Sequence, residues 1–152
     1  MSLFIEQMSD ETLLREAWHR VQRGGRSGGV DGMTVDMFRA RAEARLQDLG
    51  RRLRTGTYRP SPVMRVDIPK ASGGRRLLGI PTVVDRIAQT VAALVLHERV
   101  AVSFSDRSFA YRPFLGPRRA AFFLKTLMPG AEWAVTADIA SFFDNVDHRI
   151  LA

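Results

Sequence analysis

No cysteine occurs in the 152 residues, which excludes disulfide frameworks, thiol nucleophiles and cysteine-ligated zinc together. Lysine is scarce: of the 23 Lys and Arg residues, all but Lys70 and Lys125 are arginine. Long apolar runs are missing too. The longest, Val91–Leu96, falls far short of a bilayer span. The opening Met1-Ser2-Leu3-Phe4-Ile5-Glu6 lacks the basic flank and apolar stretch of a secretory signal. His19, His97 and His148 are scattered without metal-ligand spacing, and no Gly-x-Ser-x-Gly, phosphate-loop Gly-Lys-Ser or His-Glu-x-x-His is found. These absences leave the expectation of a soluble, intracellular protein with no membrane partner.

What is present is globular: 45% hydrophobic and 26% charged residues, at about the size of one ordinary domain. The net charge of +7 is unevenly spread. Residues 1–64 carry +3, residues 65–130 carry +7, and residues 131–152 carry −3. A basic body running into an acidic end suits a polyanion held beside a carboxylate-bound metal. Arginine forks match phosphate oxygens, although a GC-rich genome produces the same bias.

Apolar spacing predicts a helix over Leu13–Val21, started near Ser9 and Thr12 with Asp10 and Glu11 at the positive end of its dipole. After the break at Gly24–Gly29, Thr34 is placed to cap a second helix from Val35 to about Arg54. Val63–Ile68 alternates apolar and polar residues and Leu77–Ile80 returns, so a β-hairpin is predicted with Lys70–Arg76 as its tip. Thr82–Val102 is the strongest helix, with Ile87, Val91, Leu94, Val95 and Val102 on its apolar face. A short helix is predicted over Arg118–Leu127. Trp133–Ile139 reads as a buried strand ending on Asp138, and a further helix starts near Val146.

Three constellations carry possible chemistry. A carboxylate at the end of an apolar strand, here Asp138, is costly to bury without a cation, and Mg²⁺ takes one or two carboxylates with phosphate oxygens and water. A helix cap or a salt bridge to an arginine would explain Asp138 equally, and Asp144 and Asp147 read as caps of the following helix. At the hairpin tip, Lys70, Arg75 and Arg76 flank a glycine-rich turn that suits a triphosphate, or is simply a solvated basic tip. In Ser108–Pro113, Phe109 and Tyr111 accompany Arg112, a mixture that stacks bases and holds phosphate unless the rings belong to the core.

Five blocks of residues resemble bacterial reverse transcriptases of the group II intron type. They are Gly29-Val30-Asp31-Gly32-Met33-Thr34, then Gly56-Thr57-Tyr58-Arg59-Pro60-Ser61-Pro62-Val63, then Ile68-Pro69-Lys70 with Gly74–Gln89. Phe104–Pro113 and Ala137–His148 complete the order, so the resemblance runs from about Leu13 to the last residue. It implies an α+β fold in which residues 1–60 extend the fingers, residues 61–128 form them, and residues 129–152 begin a palm with its first strand. It further implies that Asp138 is a catalytic aspartate binding Mg²⁺ (or Mn²⁺), with the Ile139 carbonyl as a further ligand. Lys70 and Arg76 match cations that clamp the incoming dNTP, with Arg75 at a more variable position. Arg112 matches a residue supporting the template and nucleotide pocket, and Phe143 matches the gate that rejects a ribose 2′-hydroxyl.

The resemblance has limits. After Arg112-Pro113 the family's Gly-Arg-Ser-x-His is replaced by Phe114-Leu115-Gly116-Pro117-Arg118-Arg119, which is compatible with a CRISPR-associated or phage-defence subgroup. The Tyr-x-Asp-Asp block, the rest of the palm and the thumb are not in the sequence, and two-metal phosphoryl transfer needs at least a second carboxylate. The expectation is therefore the N-terminal part of a bacterial, cytoplasmic RNA-directed DNA polymerase, inactive by itself. Its partners would be an RNA template, a DNA or RNA primer, dNTP and the remaining palm and thumb. The alternatives are a non-catalytic RNA- or DNA-binding module and an interaction remnant that forms a dimer.

Overall fold

The computed structural model describes residues 3–69, 71, 73–112, 114–142 and 145–151. They fall into two units, Met1–Ser103 and Phe104–Ala152. The first unit begins with a short helix α1, Leu3–Met8, and the Ser9 hydroxyl donates back to its Glu6 carbonyl at 2.9 Å. Ser9 is thereby occupied, and the cap of α2, Glu11–Gln22, is Asp10. Its carboxyl accepts the Leu13 amide at 3.0 Å. Thr34 caps α3 as expected, accepting the Met37 amide at 3.2 Å.

The long helix expected over Val35–Arg54 is two helices, α3 Val35–Arg39 and α4 Ala42–Arg54. The apolar spacing runs on through the break, so periodicity does not reveal it. A tertiary contact makes the break tolerable. Arg45 Nη1 donates to the Met37 carbonyl at 2.5 Å and to the Phe38 carbonyl, which also accepts the Arg41 amide, at 2.9 Å, tying the end of α3 to α4.

Helix α5, Val83–Val100, is the spine of this unit. Val83, Ile87, Val91 and Val95 recur every four residues and are all buried. They join Leu14, Ala17, Trp18 and Val21 of α2, Phe38 of α3, and Leu46, Leu49 and Leu53 of α4 in one core. The Trp18 and Phe38 rings lie 4.6 Å apart between centroids. Burying each large apolar side chain of this set contributes about 1.5–3 kcal/mol. Val102 does not share that face: it follows the helix in a 3-10 turn, Ala101–Ser103, and is exposed.

The predicted hairpin forms. Strands β1, Met64–Pro69, and β2, Arg75–Ile80, pair antiparallel with Met64 opposite Ile80 and Pro69 opposite Arg75. Gly73 and Gly74 hold φ of 87° and 80° in the turn, where a side chain would be strained. Met64, Val66 and Ile68 are half-buried, and Arg65, Asp67 and Pro69 are exposed. No third strand joins this pair among the described residues. A two-stranded ribbon is marginal alone, so its roots matter.

In the second unit, α6 runs Pro117–Leu127 with proline at the first helical position, and Phe109 packs on its Phe123 at 5.5 Å between ring centroids. A short α7, His148–Leu151, follows. The α+β class agrees with expectation, but the first palm strand is absent: residues 131–139 form no ladder, and every one of them is exposed. A strand is defined by its hydrogen-bonded neighbour, and the described residues provide none for Trp133–Ile139. No described helix is long and apolar enough to cross a membrane.

Candidate functional site

Three of the sequence blocks converge on the first turn of α5. Thr82, in extended backbone, caps the helix by accepting the Asp85 amide at 3.1 Å, and its hydroxyl donates to Asp85 Oδ2 at 2.6 Å. The same carboxyl accepts the Tyr58 hydroxyl at 2.6 Å and the Ser61 amide at 3.2 Å. Asp85 is 3% exposed, and each of these donors depends on it. The neighbouring Arg86 donates to the Gly25 carbonyl at 3.0 Å and to the Ser27 carbonyl, fastening the glycine-rich loop. Gly29 lies so close that a Cβ there would meet the Thr82 backbone at 2.7 Å, which leaves glycine as the residue that fits. Residues 27–34, 56–63 and 80–89 are thus one packed joint, and its Ser61 stands three residues before the hairpin.

Tyr58 reports the joint's electrostatics. Burial, then its bond to the Asp85 carboxyl, pushes the phenol well above its usual pKa, and Arg52 nearby offsets this slightly. A pKa raised in the folded state means that the unfolded chain releases the proton first. Stability from this group is complete below the unfolded value of about 10 and is lost as pH rises through the folded value. Tyr58→Phe should therefore flatten the decline in denaturant midpoint above about pH 10. An unchanged slope would show that Tyr58 does not carry it.

At the hairpin tip the two arginines part. Arg75 lies on the exposed face with Asp67, its Nε 3.6 Å from Oδ2. Arg76 faces the opposite way by the strand alternation, paired with Ile68 on the face of Val66 and Leu78. It has no ion-pair partner among the described residues. Lys70 lies outside the described residues, as do Phe143 and Asp144.

In the second unit, Arg112 Nη1 donates to the Ser105 and Ser108 carbonyls at 2.9 and 3.1 Å, and its guanidinium sits 5.6 Å from the Phe104 ring centroid. Its charge therefore closes the loop that carries it. Asp138 and Ile139 are exposed, and Asp138 makes no hydrogen bond or ion pair among the described residues. The arginine salt bridge considered for Asp138 is not made. No group of three or more acidic or histidine side chains that could hold a metal ion is found among the described residues, whereas Mg²⁺ needs only one or two carboxylates beside phosphate oxygens and water. Asp147 instead takes Arg149, with Nη2 to Oδ2 at 2.7 Å, and accepts the Arg149 amide at 2.9 Å. Those bonds hold its carboxyl below the usual range.

The sequence pattern singles out none of Asp85, Tyr58 and Arg86 as members of the joint at the first turn of α5. The available signal was Asp85 three residues after Thr82, ahead of an apolar run, which marks a cap and says nothing of distant donors.

No family model matches the chain. Protein YkfC of Escherichia coli (strain K12) is 34% identical over 134 residues, covering 85% of this chain and 35% of that protein. The group II intron-encoded protein LtrA of Lactococcus lactis subsp. cremoris is 34% identical over 130 residues, covering 85% of this chain and 21% of LtrA. The putative COX1/OXI3 intron 2 protein of Saccharomyces cerevisiae is 30% identical over 149 residues, covering 97% and 17% respectively. The chain thus spans about a third or less of these curated relatives.

Proposed function

The chain is related by sequence to group II intron-encoded proteins, and from that premise we propose that it is the fingers-side, N-terminal portion of an RNA-directed DNA polymerase. The observation that carries this reading is the hairpin tip. Its Arg76 has no acidic partner among the described residues, and its root is tied through Ser61 to the Asp85 joint. A cation held on a rooted ribbon is pre-positioned for phosphate, whereas one already paired to an acid must first give that partner up. Lys70 and Arg76 would neutralise the dNTP triphosphate, Phe143 would exclude the 2′-hydroxyl, and Arg112 would shape the loop beside the template. Asp138 and the Ile139 carbonyl would be this chain's share of a Mg²⁺ site, which supplies nucleophile activation and leaving-group stabilisation when bound. Because two-metal transfer needs another carboxylate, these 152 residues alone are expected not to polymerise.

In the intact enzyme, Arg76→Ala is expected to raise the KM for dNTP by roughly 10- to 100-fold, the worth of a charge-assisted hydrogen bond. Arg75→Ala, already shared with Asp67, should raise it by less than about threefold. Equal effects in steady-state kinetics would remove the hairpin from the nucleotide site.

A second reading, a nucleic-acid-binding module without catalysis, is favoured by the exposure of Asp138 and by the absence of any group of three or more metal-ligating side chains among the described residues. It predicts steeply salt-dependent RNA binding that Mg²⁺ does not improve specifically, and no incorporation by the intact protein.

A further inference from the structure

A cleft of about 640 Å³ opens in the first unit where the turn between α1 and α2 meets α4, a size within the roughly 300–1,000 Å³ of small-molecule sites. Its lining is divided by charge. Glu6, Asp10 and Glu11 come from the α1–α2 side, and Arg51 and Arg54 from α4. The apolar part of the lining is Leu14 and Leu46, with Gly50 beside them. A Cβ on Gly50 would meet Leu14 Cδ1 at 3.0 Å. Glycine weakens a helix interior, so its place in α4 reflects this close approach of the two walls at their base.

Some of these charges are engaged on their own side. Asp10 caps α2 through the Leu13 amide, Glu11 lies 3.8 Å from Arg15 Nη2, and Arg51 pairs with Asp48. The Glu6 carboxylate and the Arg54 guanidinium have no hydrogen-bonding or ionic partner among the described residues. Nor does any ion pair join the acids of one wall to the arginines of the other. Opposite charges that line one cleft and stay unbridged set up a field across it, which a molecule with one positive and one negative end satisfies. A polyamine would suit the acids and be repelled by the arginines. A phosphate would do the reverse. A zwitterion with an apolar body matches both walls, and Leu14 and Leu46 as well.

We propose that this cleft binds a small zwitterion, a short apolar peptide with both termini free, its ammonium held by Glu6, its carboxylate by Arg54 and its side chains over Leu14 and Leu46. An ammonium offers three donors to a carboxylate, and a terminal carboxylate accepts the planar guanidinium fork, so each end meets a charge-assisted hydrogen-bonding partner. The cleft shares no residue with the hairpin tip or the Asp85 joint. It involves no nucleotide chemistry and therefore stands apart from the polymerase reading.

The test follows amide chemical shifts of the isotope-labelled 152-residue chain during titration with three probes. They are leucyl-leucine, leucyl-leucinamide, which lacks the carboxylate, and isocaproyl-leucine, which lacks the ammonium. Leucyl-leucine is expected to shift the amides of Glu6–Glu11 and Leu46–Arg54 with a Kd on the order of 0.1–1 mM, the affinity ordinary for a ligand of its size. Each relative should bind at least about tenfold more weakly, the worth of one charge-assisted hydrogen bond. Glu6→Gln should weaken leucyl-leucine by a similar factor and make the chain indifferent to loss of the ligand's ammonium. Arg54→Gln should do the same for the carboxylate. Both side chains are exposed and support no contact among the described residues, and circular dichroism checks the fold. Should a variant lose structure, the three probes on the wild type decide alone. The proposal is overturned if leucyl-leucine gives no saturable shift at the cleft up to about 10 mM, or if the three probes bind alike. It is equally overturned if folded variants keep the wild-type discrimination, or if the shifts centre away from the cleft.

Discussion

Asp138→Asn is expected to reduce dNTP incorporation by the intact enzyme at least about a thousandfold, while thermal stability and RNA affinity stay near wild type. The asymmetry follows from the environment of the side chain. Asp138 is exposed and supports no hydrogen bond or ion pair among the described residues, so exchanging a carboxylate oxygen for an amide nitrogen disturbs no packing. Surface changes of this kind lie within about 0.5 kcal/mol of neutral. A carboxylate that ligates Mg²⁺ is different, because an amide brings no negative charge to a hard cation. Incorporation on a primed RNA template and the melting temperature must therefore be measured on the same variant. Incorporation that survives the substitution would reject the catalytic assignment. A large loss of stability would mean that Asp138 serves the fold.

The opposite pattern is expected at Asp85. Replacing it with alanine should destabilise the first unit by about 3–5 kcal/mol, since buried hydrogen-bonding groups left bare cost about 1–3 kcal/mol each and this carboxyl serves several. The Tyr58 hydroxyl, the Thr82 hydroxyl and the Ser61 amide would all lose their acceptor, and the helix cap would lose its reciprocal partner. Asp85→Asn keeps the shape and one acceptor oxygen, so a smaller cost, about 1–2 kcal/mol, is expected. Urea unfolding measures both. A midpoint change worth less than about 1 kcal/mol for the alanine variant would show that the joint is not held by this group. Because Ser61 roots the hairpin, the alanine variant should also speed amide exchange in Met64–Ile80 more than in the core of α2.

Local chemistry was legible wherever it was self-contained. Thr34 and Thr82 begin helices because a hydroxyl accepts an amide three residues ahead, a relation written wholly within four residues. Met64–Ile80 forms its hairpin because alternation and a glycine-rich turn are likewise local. The break between α3 and α4 was not legible: it depends on Arg45 reaching back to the Met37 and Phe38 carbonyls. Trp133–Ile139 has the composition of a strand, but a strand also needs a neighbour, and none is present among the described residues.

The same division holds for function. The order of the blocks was enough to relate the chain to group II intron-encoded proteins, since such patterns survive as linear text. Which charges are spoken for was decided in three dimensions. Arg75 goes to Asp67 and Arg112 to its own loop, while Arg76, Arg118 and Arg119 remain unpaired among the described residues. An arginine's codon is silent on that point, because its partner is set by which side chains the packed backbone brings within about 4 Å.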